Sequence, residues 1–124
     1  MVREGYPAGT VDEYLDAVPP EQGAALRVVR DRLLDVVPDA EQVISYQVPT
    51  IRYRGTGLVA LSVAKTHCSL HLMSPPLAKA LAGVLDEGKL SGATLQFDAG
   101  SPLSAETVRI VAERRMAEVD ARLG

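Results

Sequence analysis

The first third of the chain has apolar residues at three- to four-residue spacing, a pattern typical of amphipathic helices. Thr10 followed three positions later by Glu13 is a capping box, which predicts a short helix over residues 11–18. Pro20 suits the first turn of a second helix, and Pro38 ends it after about 17 residues. The chain therefore begins with a predicted pair of helices.

From Gln42 onward the pattern changes to short runs of β-branched and aromatic residues separated by turn residues. The predicted strands cover residues 43–47, 50–54, 58–64 and 68–73. The short connections between them favour hairpins and antiparallel pairing. A helix ending near Asp86, a glycine-containing loop, a strand over 93–98 and a last helix from Ala105 to Leu123, capped by Ser104, complete the prediction.

This order predicts one α+β domain over residues 1–124, with an antiparallel sheet of about five strands. The N-terminal helical pair and the C-terminal helices are expected to pack on the sheet. The length of 124 residues, with 47% apolar and 23% charged residues, fits a single globular core.

Charge and cysteine content narrow the function classes. A net charge of −3 disfavours nucleic acid as the main partner. The sequence has no apolar run long enough to cross a bilayer, and residues 1–10 lack the hydrophobic segment of a signal peptide. The single cysteine, Cys68, fits a reducing compartment, so a cytoplasmic location is expected.

The charges are distributed unevenly along the chain. Residues 42–85 contain four basic residues, both histidines and no acidic residue, whereas the helices on either side are acidic. Alternation along the strands predicts that Arg52 and Arg54 share one sheet face, and that His67 and His71 share one face of their own strand. Together with Lys65, these residues predict a site for a carboxylate or phosphate group. An ordinary solvated face, or pairing with the acidic helices, would explain the same pattern.

Metal binding is the competing use of the charged residues. The candidate oxygen ligands lie on the two N-terminal helices: Asp12, Glu13, Asp16, Asp31 and Asp35. Histidine nitrogens from the sheet would suit iron or zinc. Alternatively, these carboxylates simply form the solvated sides of two amphipathic helices.

No catalytic residue is predicted. Alternation places Cys68 on the face opposite His67 and His71, beyond hydrogen-bond reach, so a buried structural cysteine is expected. The sequence contains no nucleophile-elbow, phosphate-loop or zinc-protease motif. A non-enzymatic binding domain is the leading hypothesis, a small-anion sensor or enzyme accessory domain is the alternative, and a true enzyme ranks third.

Four segments, residues 10–15, 38–50, 65–70 and 91–97, resemble the YdhG-like domain family. The matching motif positions are Glu41, Tyr46, Pro49, Lys65 and His67. The sequence departs from the family pattern at residues 92–93 and 61–64, and these changes affect the side of the predicted sheet proposed to bind an anion.

The resemblance implies a frataxin-like α+β fold and, for part of the family, an iron chaperone that delivers iron for iron–sulfur cluster or haem assembly. It implies weakly bound iron at acidic residues, an iron–sulfur assembly protein as partner, and Tyr46 as an additional site residue.

Overall fold

The computed structural model describes residues 8–124. The first seven residues, and with them most of the segment predicted to lack a signal peptide, lie outside the described residues. None of the helices in residues 8–124 is long and apolar enough to cross a membrane.

Two helices open the described chain, α1 (Val11–Ala17) and α2 (Pro20–Val36). The Thr10 hydroxyl accepts a hydrogen bond from the Glu13 backbone N–H at 3.1 Å, as the capping box predicts. The reciprocal bond differs, since the Glu13 carboxylate accepts from the Gly9 N–H at 2.7 Å instead of from the cap residue.

Six strands follow and form one antiparallel sheet in the order β1-β2-β3-β4-β6-β5. They are β1 (Glu41–Ser45), β2 (Val48–Tyr53), β3 (Thr56–Val63), β4 (Cys68–His71), β5 (Lys89–Ser91) and β6 (Thr94–Phe97). The α+β class and antiparallel pairing are confirmed, but the count of about five strands missed β5. That strand has only three residues and depends on its pairing with β6.

The remaining helices are α3 (Pro75–Leu81) and α4 (Ala105–Leu123). The bounds of α4 and its Ser104 cap are those predicted, and the Ser104 hydroxyl accepts from the Thr107 N–H at 3.2 Å. By contrast, α3 stops at Leu81 instead of continuing to Asp86, because Gly83 adopts a φ of +84°, which a right-handed helix does not accommodate.

The core lies between the sheet and α1, α2 and α4, which pack on the same side of it. The sheet contributes alternate apolar side chains, among them Ile51, Leu61, Leu70 and Leu95, each at most 1% exposed. The start of α3 adjoins α4, since the Ser74 hydroxyl donates to Glu118 at 3.0 Å. Leu77 and Leu81 of α3 belong to the same apolar core, so within residues 8–124 the opposite face of the sheet has no helix over it.

A β-bulge interrupts the pairing of β2 with β3. Ile51 pairs with Val59 and Arg52 with Gly57, which leaves Leu58 as an extra residue. Leu58 and Val59 are both fully buried. Arg115 of α4, only 7% exposed, donates to the carbonyl oxygens of Leu58 and Gly57 at 2.8 and 2.9 Å. This contact joins α4 to the bulge.

Candidate functional site

The helix-free side of the sheet, here called the open face, carries small polar side chains in cross-strand rows. Its members are Thr50, Arg52, Ala60, Ser62, Ser69, His71, Thr94 and Gln96. Thr50, Ala60, His71 and Thr94 are direct cross-strand partners in one row, and Ser62, Ser69 and Gln96 in the next. The sequence predicted only which residues share a face within each strand, and the register shows that Arg52 and His71 lie on one face, together with Ala60 and Ser62.

A histidine at the centre of the open face is hydrogen-bonded on both ring nitrogens. Ser62 Oγ lies 2.7 Å from His71 Nε2, and Thr94 Oγ1 lies 3.1 Å from His71 Nδ1. The imidazole is half-buried, and this burial lowers the pKa of His71 below its ordinary value. A neutral imidazole is therefore the favoured form at pH 7.

A cavity of about 450 Å³ lies at one end of the sheet, next to the row of Ser69 and Gln96. The β3–β4 turn, the start of β5, the end of β6 and the loop before α4 form its walls. Its lining comprises Thr66, His67, Glu87, Gly88, Lys89, Gln96, Phe97, Asp98, Ser101, Pro102 and Leu103. This volume lies within the range of about 300–1,000 Å³ typical of small-molecule sites.

Several polar groups in this lining are available to a ligand. Among residues 8–124, the side chains of His67, Lys89, Gln96 and Asp98 form no hydrogen bond or ion pair. Lys89 and Gln96 are direct cross-strand partners on β5 and β6. An ammonium group, an imidazole, an amide and a carboxylate thus line one opening without being committed to protein partners.

Glu87 differs from these groups because the protein already uses its carboxylate. Its Oε1 accepts a hydrogen bond from the Ser104 N–H at 2.5 Å, at the N-terminus of α4. Burial acts to raise the pKa of Glu87, but this bond, bonds from the Ser104 and Thr107 side chains and the nearby Arg32 charge together lower it. Glu87 is therefore ionised at neutral pH and fixes the wall of the cavity.

The structure disperses the residues predicted to bind an anion. Arg54 adopts a φ of +53° in the β2–β3 turn and pairs with Asp120 of α4 at 2.9 Å, so the prediction that it shares a face with Arg52 is wrong. Strand alternation does not continue through a left-handed turn residue. Arg52 donates to the Gly55 carbonyl at 2.6 Å. Its Nε also lies 3.9 Å from a Glu41 carboxylate oxygen.

Of the other predicted ligand residues, Tyr46, Lys65 and His67 lie at the end of the sheet away from Arg52, whereas His71 lies at its centre. Tyr46 is at the tip of the β1–β2 hairpin and 95% exposed, and Lys65 is exposed in the β3–β4 turn. His67 lines the cavity, whereas His71 lies in the hydrogen-bonded row. Of the six predicted residues, only His67 contributes directly to the cavity.

Several of the acidic residues predicted to hold a metal are engaged with arginines of α2. Asp12 and Asp31 contact Arg30 at 3.1 and 2.7 Å, and Asp16 pairs with Arg27. Glu13 accepts the Gly9 bond described above, and Asp35 is exposed on α2. In the part of the chain that the structure describes, no three histidine, cysteine or acidic residues gather closely enough to hold a metal ion.

Cys68 is buried on the helix-covered side of β4, as alternation predicts. Burial is the main cause that raises the pKa of its thiol to about 11, with smaller contributions from the charges of Asp98 and Glu21. The protonated thiol is an inert core group at neutral pH.

Sequence reasoning missed Lys89 because β5 was not predicted, and it missed Gln96 and Asp98 because the pairing of the predicted strand over 93–98 with its neighbours was not predicted. It also did not predict Ser62 or Thr94 as site residues. Their contacts with His71 depend on the β3–β4–β6 order, in which a strand from later in the chain lies beside β4. The alternation of small polar residues in 60–71 was the available signal.

Comparison with known proteins identifies the fold. No family model and no curated protein matches the sequence. Among solved structures, the chain is similar to a DUF1801 family protein, YdhG, from Bacillus subtilis. The TM-score is 0.76 at 15% sequence identity, over 86% of this chain and 88% of that chain. The chain thus has the α+β fold of this YdhG structure, in agreement with the YdhG-like resemblance of its sequence.

Proposed function

We propose that this protein is a binding domain for a small molecule that carries a carboxylate or phosphate group. The observation that carries the proposal is the cavity of about 450 Å³, whose lining includes the side chains of Lys89 and His67, neither of which has a hydrogen-bond or ion-pair partner among residues 8–124. An anion between an ammonium group and an imidazole gains charge-assisted hydrogen bonds. The Gln96 amide adds a neutral donor beside them.

The ligand that fits best also carries a hydroxyl or amino group. Asp98 lies in the same lining, and a carboxylate there accepts hydrogen bonds and repels a ligand that presents only negative charge. Amino acids, hydroxy acids and sugar phosphates meet both requirements. The small-anion hypothesis drawn from the sequence is thus restricted to these ligand classes. Its proposed binding site is at Lys89 and His67 and not at Arg52 and Arg54.

Thermal-shift measurements with members of these three ligand classes test the proposal. A ligand present at 100 times its dissociation constant stabilises the folded protein by about 2.7 kcal/mol. Lys89→Gln should reduce that shift strongly, whereas Lys79→Gln, at an exposed lysine of α3 outside the cavity, should leave it unchanged. The proposal fails if no ligand produces a shift, or if both variants keep the same shift.

The frataxin-like iron chaperone role, with an iron–sulfur assembly protein as partner, is a second proposal that rests on the family resemblance. The cytoplasmic location that would accompany it rests on the single cysteine and on the sequence having no apolar run long enough to cross a bilayer. The predicted iron ligands Asp12, Asp16 and Asp31 already neutralise arginines, so iron would have to displace these pairs. Anaerobic Fe(II) titration, with and without substitution of Asp31 and Asp35 by asparagine, tests the iron role. The iron chaperone proposal is rejected if Fe(II) binds more weakly than the micromolar range, or if neither substitution changes the binding.

A further inference from the structure

The hydrogen-bonded row of Ser62, His71 and Thr94 has the arrangement of a nucleophile, a base and a group that orients the base. Three different strands supply the members, so the paired strands and not a loop fix their separation. His71 and Thr94 are direct partners on β4 and β6. Ser62 lies two residues beyond Ala60, the partner of His71 on β3, which is the diagonal position that a long side chain can reach.

The contacts of His71 are consistent with one productive tautomer. When Nδ1–H donates to Thr94 Oγ1, the lone pair on Nε2 is free to accept the Ser62 hydroxyl proton. The neutral form that burial favours is the form that can act as a base. A hydroxyl, and not a carboxylate, holds the third position, so the imidazolium formed would be less stabilised than in a Ser-His-Asp triad.

We propose that Ser62 is a nucleophile that accepts an acyl group from a small ester, with His71 as its general base and Thr94 as a positioning residue. This activity goes beyond the binding function proposed above and uses groups outside the lining of the cavity. It also differs from the expectation that the domain is non-enzymatic. That expectation rested on the unfavourable placement of Cys68 and on the absence of nucleophile motifs, and it did not consider Ser62.

The proposed reaction needs only ester and water. Ser62 Oγ bonds to the acyl carbon while its proton passes to His71 Nε2. The bond from the acyl carbon to the leaving oxygen then breaks, and His71 returns the proton to that oxygen. Water attacks the resulting Ser62 ester with His71 again taking the proton. The bond between Oγ and the acyl carbon breaks, Ser62 regains its proton, and a carboxylic acid is released.

Stabilisation of the developing oxyanion is the weak part of this site. Ser62 lies on β3, between β2 and β4, and is paired with Ser69 of β4. The Ser69 side chain, directly opposite Ser62, is the nearest hydroxyl on the open face without a side-chain hydrogen bond among the described residues. Base catalysis, worth about 10²- to 10⁴-fold, is therefore expected to supply most of the acceleration.

Reaction with 4-nitrophenyl acetate, followed by nitrophenolate release and by mass spectrometry of the digested protein, tests the proposal. The expected result is acetylation of Ser62, with a burst of nitrophenolate equal to the protein concentration. Ser62→Ala should abolish this adduct. His71→Gln should slow its formation at least 100-fold, the lower end of the effect of a general base. Ser91→Ala, at an exposed position on β5, is the matched control and should react like the unsubstituted protein.

Mapping the adduct on the unsubstituted protein decides the matter even if a variant fails to fold. Acetyl groups found only on lysines, histidines or the amino terminus would overturn the proposal. Equal rates of Ser62 acetylation in the unsubstituted protein and in folded His71→Gln would also overturn the proposal, because the hydrogen-bonded row would then have only a structural role. A failure here leaves the Lys89 cavity test unaffected, because the thermal shift does not depend on Ser62.

Discussion

Arg115 is expected to be the most costly charged side chain to remove from the described part of the molecule. It is 7% exposed, and its guanidinium donates to the carbonyls of Leu58 and Gly57 and pairs with Glu118 at 2.9 Å. Leu58 is the extra residue of the bulge and has no register partner on β2. Without Arg115, at least one buried carbonyl oxygen would lose its hydrogen-bond donor.

Arg115→Met isolates this effect, because methionine keeps much of the apolar stem and removes the donors. Hydrogen bonds to a charged group contribute about 1.5–3 kcal/mol each, and two such bonds to carbonyls are lost. Glu118 is half-exposed and retains its bond from the Ser74 hydroxyl, so it adds little to the cost. We expect the free energy of unfolding to fall by about 3–5 kcal/mol, a large share of the 5–15 kcal/mol typical of a domain.

Urea unfolding followed by circular dichroism measures this loss. Arg114→Met is the matched control, since Arg114 is the exposed neighbour on the same helix and forms no ion pair or side-chain hydrogen bond with other residues in 8–124. Its change should stay within about 0.5 kcal/mol. A loss for Arg115→Met as small as that of the control would refute the reasoning, because it would show that water satisfies both carbonyls.

Three further predictions follow from the backbone and the core. Tyr46 and Gln47 adopt φ values of 51° and 69°, which suit an Asn-Gly turn. The double substitution Tyr46→Asn with Gln47→Gly should therefore raise the free energy of unfolding by about 1 kcal/mol, as measured by thermal unfolding. An unchanged or lower stability would contradict this. Gly23→Ala should destabilise by at least 1 kcal/mol in urea, although alanine is the better helix former, since its Cβ would lie 2.5 Å from the Leu15 carbonyl oxygen. In the folded protein the pKa of the Cys68 thiol is raised from 9.0 to about 11. The protonated thiol therefore stabilises the fold fully below pH 9, and this stabilisation is lost as the pH rises towards 11. In urea unfolding between pH 8 and 11, Cys68→Ala should show a smaller decline of stability with pH.

Much of the fold could be predicted because local signals and tertiary packing agree. The Thr10 and Ser104 caps mark the beginnings of α1 and α4, and both hydroxyls make the expected bonds. β5 could not be predicted in this way. Its three residues, Lys89–Ser91, carry no β-branched or aromatic residue, and they form a strand only because β6 pairs with them.

The site was less predictable than the fold, since it depends on register. Alternation correctly placed His71 on the face opposite Cys68, because it needs only the local strand. Contacts of His71 with Thr94 require that β6 lies beside β4, which no local pattern specifies. Arg54 was misplaced for a related reason: a positive φ in the turn directs it to Asp120 of α4.

The two sides of the sheet make this fold attractive as an engineering scaffold. The helix-covered side contributes the large apolar residues of the core, whereas the open face consists mostly of small polar ones. Substitutions at positions such as Ser62 and Gln96 would therefore alter surface chemistry while leaving the apolar packing in place. A library confined to these strand positions should yield folded variants with new specificities.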